Sequence, residues 1–246
     1  MSNGRTLAIG DIHGGLRALQ QVLQRAVVTT DDLLVFLGDY VDGWSESPEV
    51  LDFLLQLRTS HRCIFLRGNH DALLLEWFKT GFEKPQWLKH GGRSTLQAYA
   101  GVSAADRQRH ADFLEHDLVD YHQQDNQRLF LHAGFTHVRG FLNEYFKPML
   151  YWDRSLWECA VALDPTLPKD SQRYPSRLKL YPEIFIGHTP TIHIGSKQPV
   201  HAACVWNLDT GAGFTGPLTL MDVDSKVYWQ SDEVHTLYPG EDPRVV

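Results

Sequence analysis

An α/β fold built on a largely parallel sheet is what this 246-residue chain predicts. Three observations predict it. Short apolar runs alternate with helically spaced segments through the first third of the chain, which is the pattern of right-handed βαβ units. Each of those runs stops at a glycine next to an oxygen- or nitrogen-bearing side chain. No internal repeat or low-complexity linker divides the chain.

The first run, TLAIGD (6–11), is short, apolar and closed by Gly and Asp, as a buried strand would be. GLRALQQVLQRA (15–26) then places Leu16, Leu19, Val22 and Leu23 on one helical face. DLLVFLGD (32–39) repeats the strand pattern. SPEVLDFLLQLR (47–58) is again helical, with Ser47 as the expected N-cap and Pro48 in the first helical position. RCIFLRGNH (62–70) is the third strand, followed by the helical DALLLEWF. Residues 72–122 read as mostly helical, with turns near HGGRS and GVSAAD. NQRLFLHAGF (126–135) reads as a strand entering a glycine turn, and proline-rich 140–182 as irregular. EIFIGHTP (183–190) is another strand ending in polar residues. ACVWNLDTGA and PLTLMDVDSKVYWQSD read as antiparallel strands turning near Asp224 and Ser225. The polar tail YPGEDPRVV is expected to be loose. We therefore expect one domain over 1–246 with a helical cap insertion at 72–122.

Composition narrows the classes. Hydrophobic residues make up 43% and charged residues 22%, enough to bury a core without disulfide staples. The formal net charge of −7 disfavours general binding to nucleic acid. Three widely spaced cysteines, Cys63, Cys159 and Cys204, form no CxxC pair, so buried thiols are the expectation. No run approaches the ~20 apolar residues of a membrane span, and MSNGRTLAIGDIHGG lacks the apolar core of a signal peptide. A cytoplasmic location is the simplest expectation.

Ligands bind open α/β sheets at the carboxyl ends of the strands. The polar residues there are Asp11 and His13, then Asp39 and Asp42, then Arg67, Asn69, His70 and Asp71, and later His132 and His188. Taken singly, each has a plain structural reading: Asp11 as a helix cap, Asn69 as a turn residue, the histidines as packing or surface residues. Five strand ends with ligand-type residues are a poor accident. Carboxylate and imidazole without thiolate suit borderline or hard divalent metals, and two such ions can activate water against a phosphoryl group.

The blocks GDIHG (10–14), GDYVDG (38–43), RGNHD (67–71), HAG (132–134) and GHTP (187–190) resemble those of calcineurin-like metallophosphoesterases. More narrowly, they resemble the phosphoprotein phosphatase family, which also holds bacterial dinucleoside polyphosphate hydrolases. The resemblance spans residues 10–190. It implies a βαβ sandwich of two mixed sheets flanked by helices, and two divalent ions, manganese foremost, with iron, zinc or magnesium as alternatives. Carried over by position, Asp11 and His13 would hold one ion, Asp39 would bridge, and Asn69, His132 and His188 would hold the other. His70 would protonate the leaving oxygen. Asp42 would fix the tautomer of His70, and Arg67 would grip phosphate oxygens. Asp71 stays outside this set, as a helix cap.

One departure stands out. The family usually has arginine directly after GDYVD, where this chain has Gly43 and then Trp44. Arg154, in LYWDRSLW, is our expected replacement, against the plain reading of a surface arginine paired with Asp153. Lys89, His90 and Arg93 are weaker candidates. Trp44, Trp77, Trp87, Trp152 and Trp157 read chiefly as packing residues, and WNLDTGAGF (206–214) as structure behind the site. The implied activity is hydrolysis of phosphoserine, phosphothreonine or phosphotyrosine in proteins. Hydrolysis of a dinucleoside polyphosphate is the nearest rival, a cyclic-nucleotide phosphodiesterase a weaker one, and a binding module without turnover the reading from another class. The expected partners are a phosphorylated protein or a small phosphoester, with neither nucleic acid nor membrane.

Overall fold

The structure is a computed structural model that describes residues 4–125 and 127–244. Its first part follows the predicted alternation: β1 (Thr6–Ile9), α1 (Leu16–Arg25), β2 (Leu33–Phe36), α2 (Ser47–Leu57), β3 (Arg62–Leu66) and α3 (Asn69–Thr80). A helical stretch follows, with α4 (Pro85–Trp87), α5 (Arg93–Ala98) and α6 (Ala104–Asp112). Then come β4 (Leu118–Val119), β5 (Tyr121–Gln123), β6 (Leu129–Leu131), α7 (Ser155–Ala162), β7 (Ile184–Ile186), β8 (Val200–Ala202) and β9 (Val205–Asn207). The chain closes with β10 (Pro217–Asp222), β11 (Tyr228–Glu233) and α8 (Val234–Leu237).

The strands form two mixed sheets. One has the order β11-β10-β1-β2-β3-β4 and the other β5-β6-β7-β9-β8. Strands β1 to β4 are mutually parallel, with the β10–β11 hairpin antiparallel at one edge. In the second sheet β6, β7 and β9 are parallel, between antiparallel β5 and β8.

The period-two alternation of the strands explains the layering. Leu7 and Ile9 of β1, Leu34 and Phe36 of β2 and Phe65 of β3 face outward into a core shared with α1, α2 and α3. The residues between them, Ala8, Val35 and Leu66, face inward and meet Phe130 and Phe185 of the second sheet. Phe130 and Phe185 stack with ring centroids 5.0 Å apart. The outer face of the second sheet, Leu129, Leu131, Ile184, Ile186 and Val205, packs against α7 and the proline-rich segment. The result is a helix–sheet–sheet–helix sandwich, with the carboxyl ends of both parallel sets converging on one edge.

Four local expectations change. The segment 72–122 ends in two short strands, one joining each sheet, because Leu118–Val119 and Tyr121–Gln123 pair with β3 and β6. The two late segments split between sheets: 217–233 is the hairpin in the first, while Val205–Asn207 pairs with β7 and β8 in the second. Ser47 does not cap α2; its hydroxyl accepts the amide of Asp42 at 3.2 Å and bonds Thr95 Oγ1 at 3.1 Å. The tail is anchored through its described residues. Tyr238 stacks on Trp44 at 5.3 Å, and Glu241 accepts the Ser45 amide at 3.0 Å and hydroxyl at 2.6 Å. Val245 and Val246 lie outside the described residues.

Candidate functional site

The loop after each strand carries the candidate residues, and cross-loop backbone bonds set their positions. The amides of Ile12 and His13 donate to the Asp39 carbonyl at 3.0 and 2.9 Å. Gly38, at φ 102, lets the β2 loop approach its neighbours: a Cβ there would stand 2.7 Å from Gly68 N and 2.9 Å from His132 Nδ1. At Gly187 a Cβ would overlap Asp11 Oδ1. His13, Asp39, Asp42 and His188 adopt φ of 52, 53, 70 and 68°, left-handed values that are uncommon for non-glycine residues and here gather four of them in one place.

Asp39 lies at the centre. Its Oδ1 accepts the His70 amide at 2.9 Å, while Oδ2 lies 3.8 Å from His13 Nε2 and 3.4 Å from His132 Nε2. Asp11 Oδ2 is 3.9 Å from His13 Nε2. On the other side, Asn69 Oδ1 lies 3.2 Å from His132 Nε2 and 2.8 Å from His188 Nδ1. All six residues are buried. His13 donates from Nδ1 to the Asp42 carbonyl at 2.9 Å, and His132 from Nδ1 to the Leu37 carbonyl at 2.7 Å. Those bonds leave the Nε2 lone pairs turned toward the carboxylates. Two groups of ligand atoms result, one of His13, Asp39 and His70, the other of Asp39, His132 and His188.

The electrostatics call for cations here. Burial and the neighbouring Asp209 push the Asp11 carboxyl well above its usual range. Burial and Asp39 push Asp209 up to about 6 and Asp71 up to about 7. Burial alone would lower His132, yet Asp39 and Asp11 push it up to about 10. Burial would raise Asp39, but His132 and His70 hold it well below the ordinary value. Burial holds His13 and His188 neutral, with Arg244 and His132 adding to it respectively. Asp11 Oδ1, Asp209 Oδ2 and His188 Nε2 are buried without a hydrogen-bond partner. Clustered carboxylates, the neutral imidazoles of His13 and His188, a His132 held charged only by the carboxylates around it, and orphaned buried atoms fit divalent ions bound by oxygen and nitrogen.

His70 lies beside this cluster. Its Nδ1–H donates to Asp42 Oδ2 at 2.7 Å. Asp42 is fully buried and also accepts Trp87 Nε1–H at 2.5 Å and the Thr95 hydroxyl at 2.6 Å. The helical stretch after α3 thus holds the carboxylate that orients His70, a link that the sequence did not reveal. Nε2 of His70 faces a cavity of about 170 Å³. This adjoins a cleft of about 350 Å³ walled by Leu73, Trp87 and Trp152.

Asp71 does more than cap α3. Its Oδ2 accepts the amides of Gly68 and Asp39, both at 2.8 Å, and its Oδ1 the amide of Tyr40 at 2.9 Å. Arg67 is not brought to the cluster. Its guanidinium donates to the carbonyls of Leu114 at 2.9 Å and Leu118 at 3.1 Å and to Asp120 at 3.3 Å. The expected phosphate grip by Arg67 is corrected accordingly: the fork is spent on the carbonyls of a turn, away from the cavity. Arg154 is exposed and lines both the cavity and the cleft. Asp153 is not its partner, since that carboxylate caps α7 through Ser155 and Leu156. His90 lines the same cavity, whereas Lys89 and Arg93 border a separate groove.

Two residues were missed. Asp209, expected to support turns behind the site, does accept the Gly211 amide at 3.0 Å, but its other oxygen is orphaned and it lines the cavity. Arg244, in the tail expected to be loose, enters the cavity and places Nη2 3.0 Å from His70 Nε2. A lone arginine after two prolines carries no local signal of this placement.

Comparison with known proteins identifies the family. The family pattern for calcineurin-like phosphoesterases matches residues 4–212. The symmetrical bis(5'-nucleosyl)-tetraphosphatase of Pseudomonas fluorescens (strain SBW25) is 35% identical over 130 residues, covering 52% of this chain and 42% of that protein. Serine/threonine-protein phosphatase 2 of Escherichia coli (strain K12) is 40% identical over 85 residues, covering 34% of this chain and 37% of that protein. The chain thus spans less than half the length of either relative. Among solved structures, a protein serine/threonine phosphatase from Saccharomyces cerevisiae superposes with a TM-score of 0.60 at 15% identity, covering 94% of this chain and 80% of that one. Among the described residues no helix is long and apolar enough to cross a membrane. With the family pattern matched over most of its length, this chain belongs to the calcineurin-like phosphoesterases.

Proposed function

We propose that this chain is a two-metal hydrolase of phosphate monoesters that acts as a protein phosphatase on phosphoserine or phosphothreonine. The observation that carries the reading is the His70–Asp42 pair at 2.7 Å, set against two groups of candidate ligand atoms that share Asp39. Asp11, His13 and Asp39 would hold one divalent ion and Asp39, Asn69, His132 and His188 a second, manganese foremost, supplying an activated water and neutralising phosphate charge. His70 holds the proton for the leaving oxygen: Asp42 fixes Nδ1–H, so Nε2 faces the cavity where that oxygen would emerge. Arg154, at the exposed rim, is placed to meet the phosphate or the flanking chain. Trp152, 44% exposed, leaves the adjoining cleft open to an extended peptide.

The second reading, hydrolysis of a dinucleoside polyphosphate, is favoured by the same cleft, because Trp87 and Trp152 offer ring faces to a base, and by the tetraphosphatase relative. Protein loaded with manganese should hydrolyse phosphoserine and phosphothreonine peptides with a higher kcat/KM than diadenosine tetraphosphate, and Asp39→Asn should abolish both. The reverse preference would move the assignment to nucleotide hydrolysis. Failure to bind manganese, with no turnover of either substrate, would overturn the hydrolase reading.

A further inference from the structure

Arg244 does not behave as a tail residue. Its backbone amide donates to the Gly213 carbonyl at 3.2 Å, and its side chain runs inward through a slot lined by three glycines. A Cβ at Gly43, Gly91 or Gly213 would stand 3.4, 3.2 or 3.3 Å from Arg244 Cδ. Gly43 and Gly91 have φ of 126 and 106°, so side chains are disfavoured there on backbone grounds as well. Phe214 covers the guanidinium, with its ring centroid 5.1 Å from Cζ.

The guanidinium is poorly partnered for its position. Nη1 lies 3.0 and 2.9 Å from the two nitrogens of His13. Equal approach to both nitrogens of one imidazole puts it over the ring face and off either lone pair, so Nε2 of His13 stays open in its own plane. Nη2 meets His70 Nε2 at 3.0 Å, and Nε is buried with no partner at all. Among the described residues Arg244 forms no ion pair within 4.0 Å, and Asp209, in the same cavity, is near enough only to feel its charge. A half-buried cation resting on imidazole rings and lining the cavity has room for an anion in direct contact.

We propose that Arg244 is a substrate-binding residue that takes the phosphate of the substrate as its missing anion, its donors moving from His13 and His70 onto phosphate oxygens. The transfer also frees His70 Nε2, which cannot carry a proton toward a leaving group while it accepts from Arg244. The C-terminal segment, pinned by Glu241 to Ser45, thus completes a site whose other residues come from strand-end loops. This inference rests on the hydrolase reading above.

The test uses the full-length manganese-loaded protein with two readouts. Inorganic phosphate binding is measured by calorimetry, and KM and kcat with a phosphopeptide. Arg244→Ala should weaken both phosphate binding and KM by about 10- to 100-fold, with metal content per chain unchanged. Arg244→Lys should recover part of the loss, since it keeps the charge without the fork. Glu241→Gln should give a smaller change in the same direction. Phosphate affinity and KM left unchanged in a folded Arg244→Ala protein would overturn the proposal. So would a gain in manganese content or phosphate affinity, which would make Arg244 an occluding residue. Phosphate binding is read without turnover, so a wild type that binds phosphate through Arg244 but hydrolyses nothing would sink the hydrolase reading alone.

Discussion

Asp71→Asn isolates a residue that supports the site without touching substrate. The carboxylate is fully buried and accepts three backbone amides, from Gly68 and Asp39 on Oδ2 and Tyr40 on Oδ1, at 2.8 to 2.9 Å. Asparagine offers one oxygen. Placed at the Oδ2 position, it keeps the Gly68 and Asp39 amides and turns its NH₂ against the Tyr40 amide, donor against donor. Flipped, it keeps one amide and fails two. The better orientation still leaves one buried amide unsatisfied, a cost of about 1–3 kcal/mol. Removing a buried charge next to Asp39 offsets part of that cost, since burial and that neighbour push the Asp71 carboxyl up to about 7. A net loss of about 1–2 kcal/mol should lower Tm by about 2–8 °C in a chain of this size. Because the Asp39 and Tyr40 amides define the loop carrying Asp39, metal affinity should also fall by about tenfold. Scanning calorimetry in excess chelator reads the first effect and manganese titration the second. A variant melting within about 1 °C of wild type, with unchanged manganese affinity, would refute the assignment of these bonds as the support of Asp39.

Arg67→Ala should lower stability by about 1–3 kcal/mol with little change in KM for a phosphopeptide, because its donors serve Leu114, Leu118 and Asp120; a raised KM at unchanged Tm would return Arg67 to the substrate. Asp42→Asn should lower kcat by about 10- to 100-fold at unchanged metal content, and less for p-nitrophenyl phosphate, whose leaving group needs little proton transfer. Equal losses on both substrates would remove His70 as proton donor. Asp32 tests the acid limb of stability. Burial would raise its carboxyl, but Arg5 and the Thr29 amide hold it down to about 2, so its ionised form stabilises the fold above about pH 4 and that contribution is lost as pH falls from there toward 2. Asp32→Asn should flatten the urea-midpoint profile in that window by about 1–2 kcal/mol, allowing for screening at the part-exposed Arg5; an unchanged slope would contradict the pairing.

The sequence revealed the first sheet well because β1, β2 and β3 are buried on both faces and read as unbroken apolar runs closed by glycine. The residues it placed at strand ends, from Asp11 to His188, converge apart from the Arg67 side chain, since parallel strands bring their carboxyl ends to one edge. The short strands β4, β5 and β8 were lost because two or three residues carry no periodicity. Arg67 was misplaced because an arginine among site residues does not declare which way its long side chain turns. Here the fork is drawn to the carbonyls at 114 and 118. Trp87 was read as a packing residue and Thr95 was not singled out, since a bond to Asp42 some 45 to 53 positions away leaves no local trace. Arg244 was invisible for the same reason, as its slot is assembled from glycines in three separate segments.

The left-handed backbone at His13, Asp39, Asp42 and His188 ties heat tolerance to chemistry. A non-glycine residue held there costs about 1–3 kcal/mol, and glycine would relieve it at His13, Asp39 and His188 while deleting a candidate ligand; at Asp42 it would instead orphan His70, Trp87 and Thr95. A copy of this chain released from selection for turnover would therefore have a downhill route, losing side chains at His13, Asp39 and His188 and gaining melting temperature as it did so. Along such a lineage robustness and activity would drift in opposite directions, and a thermostable, silent descendant would carry its history as glycines in those three turns.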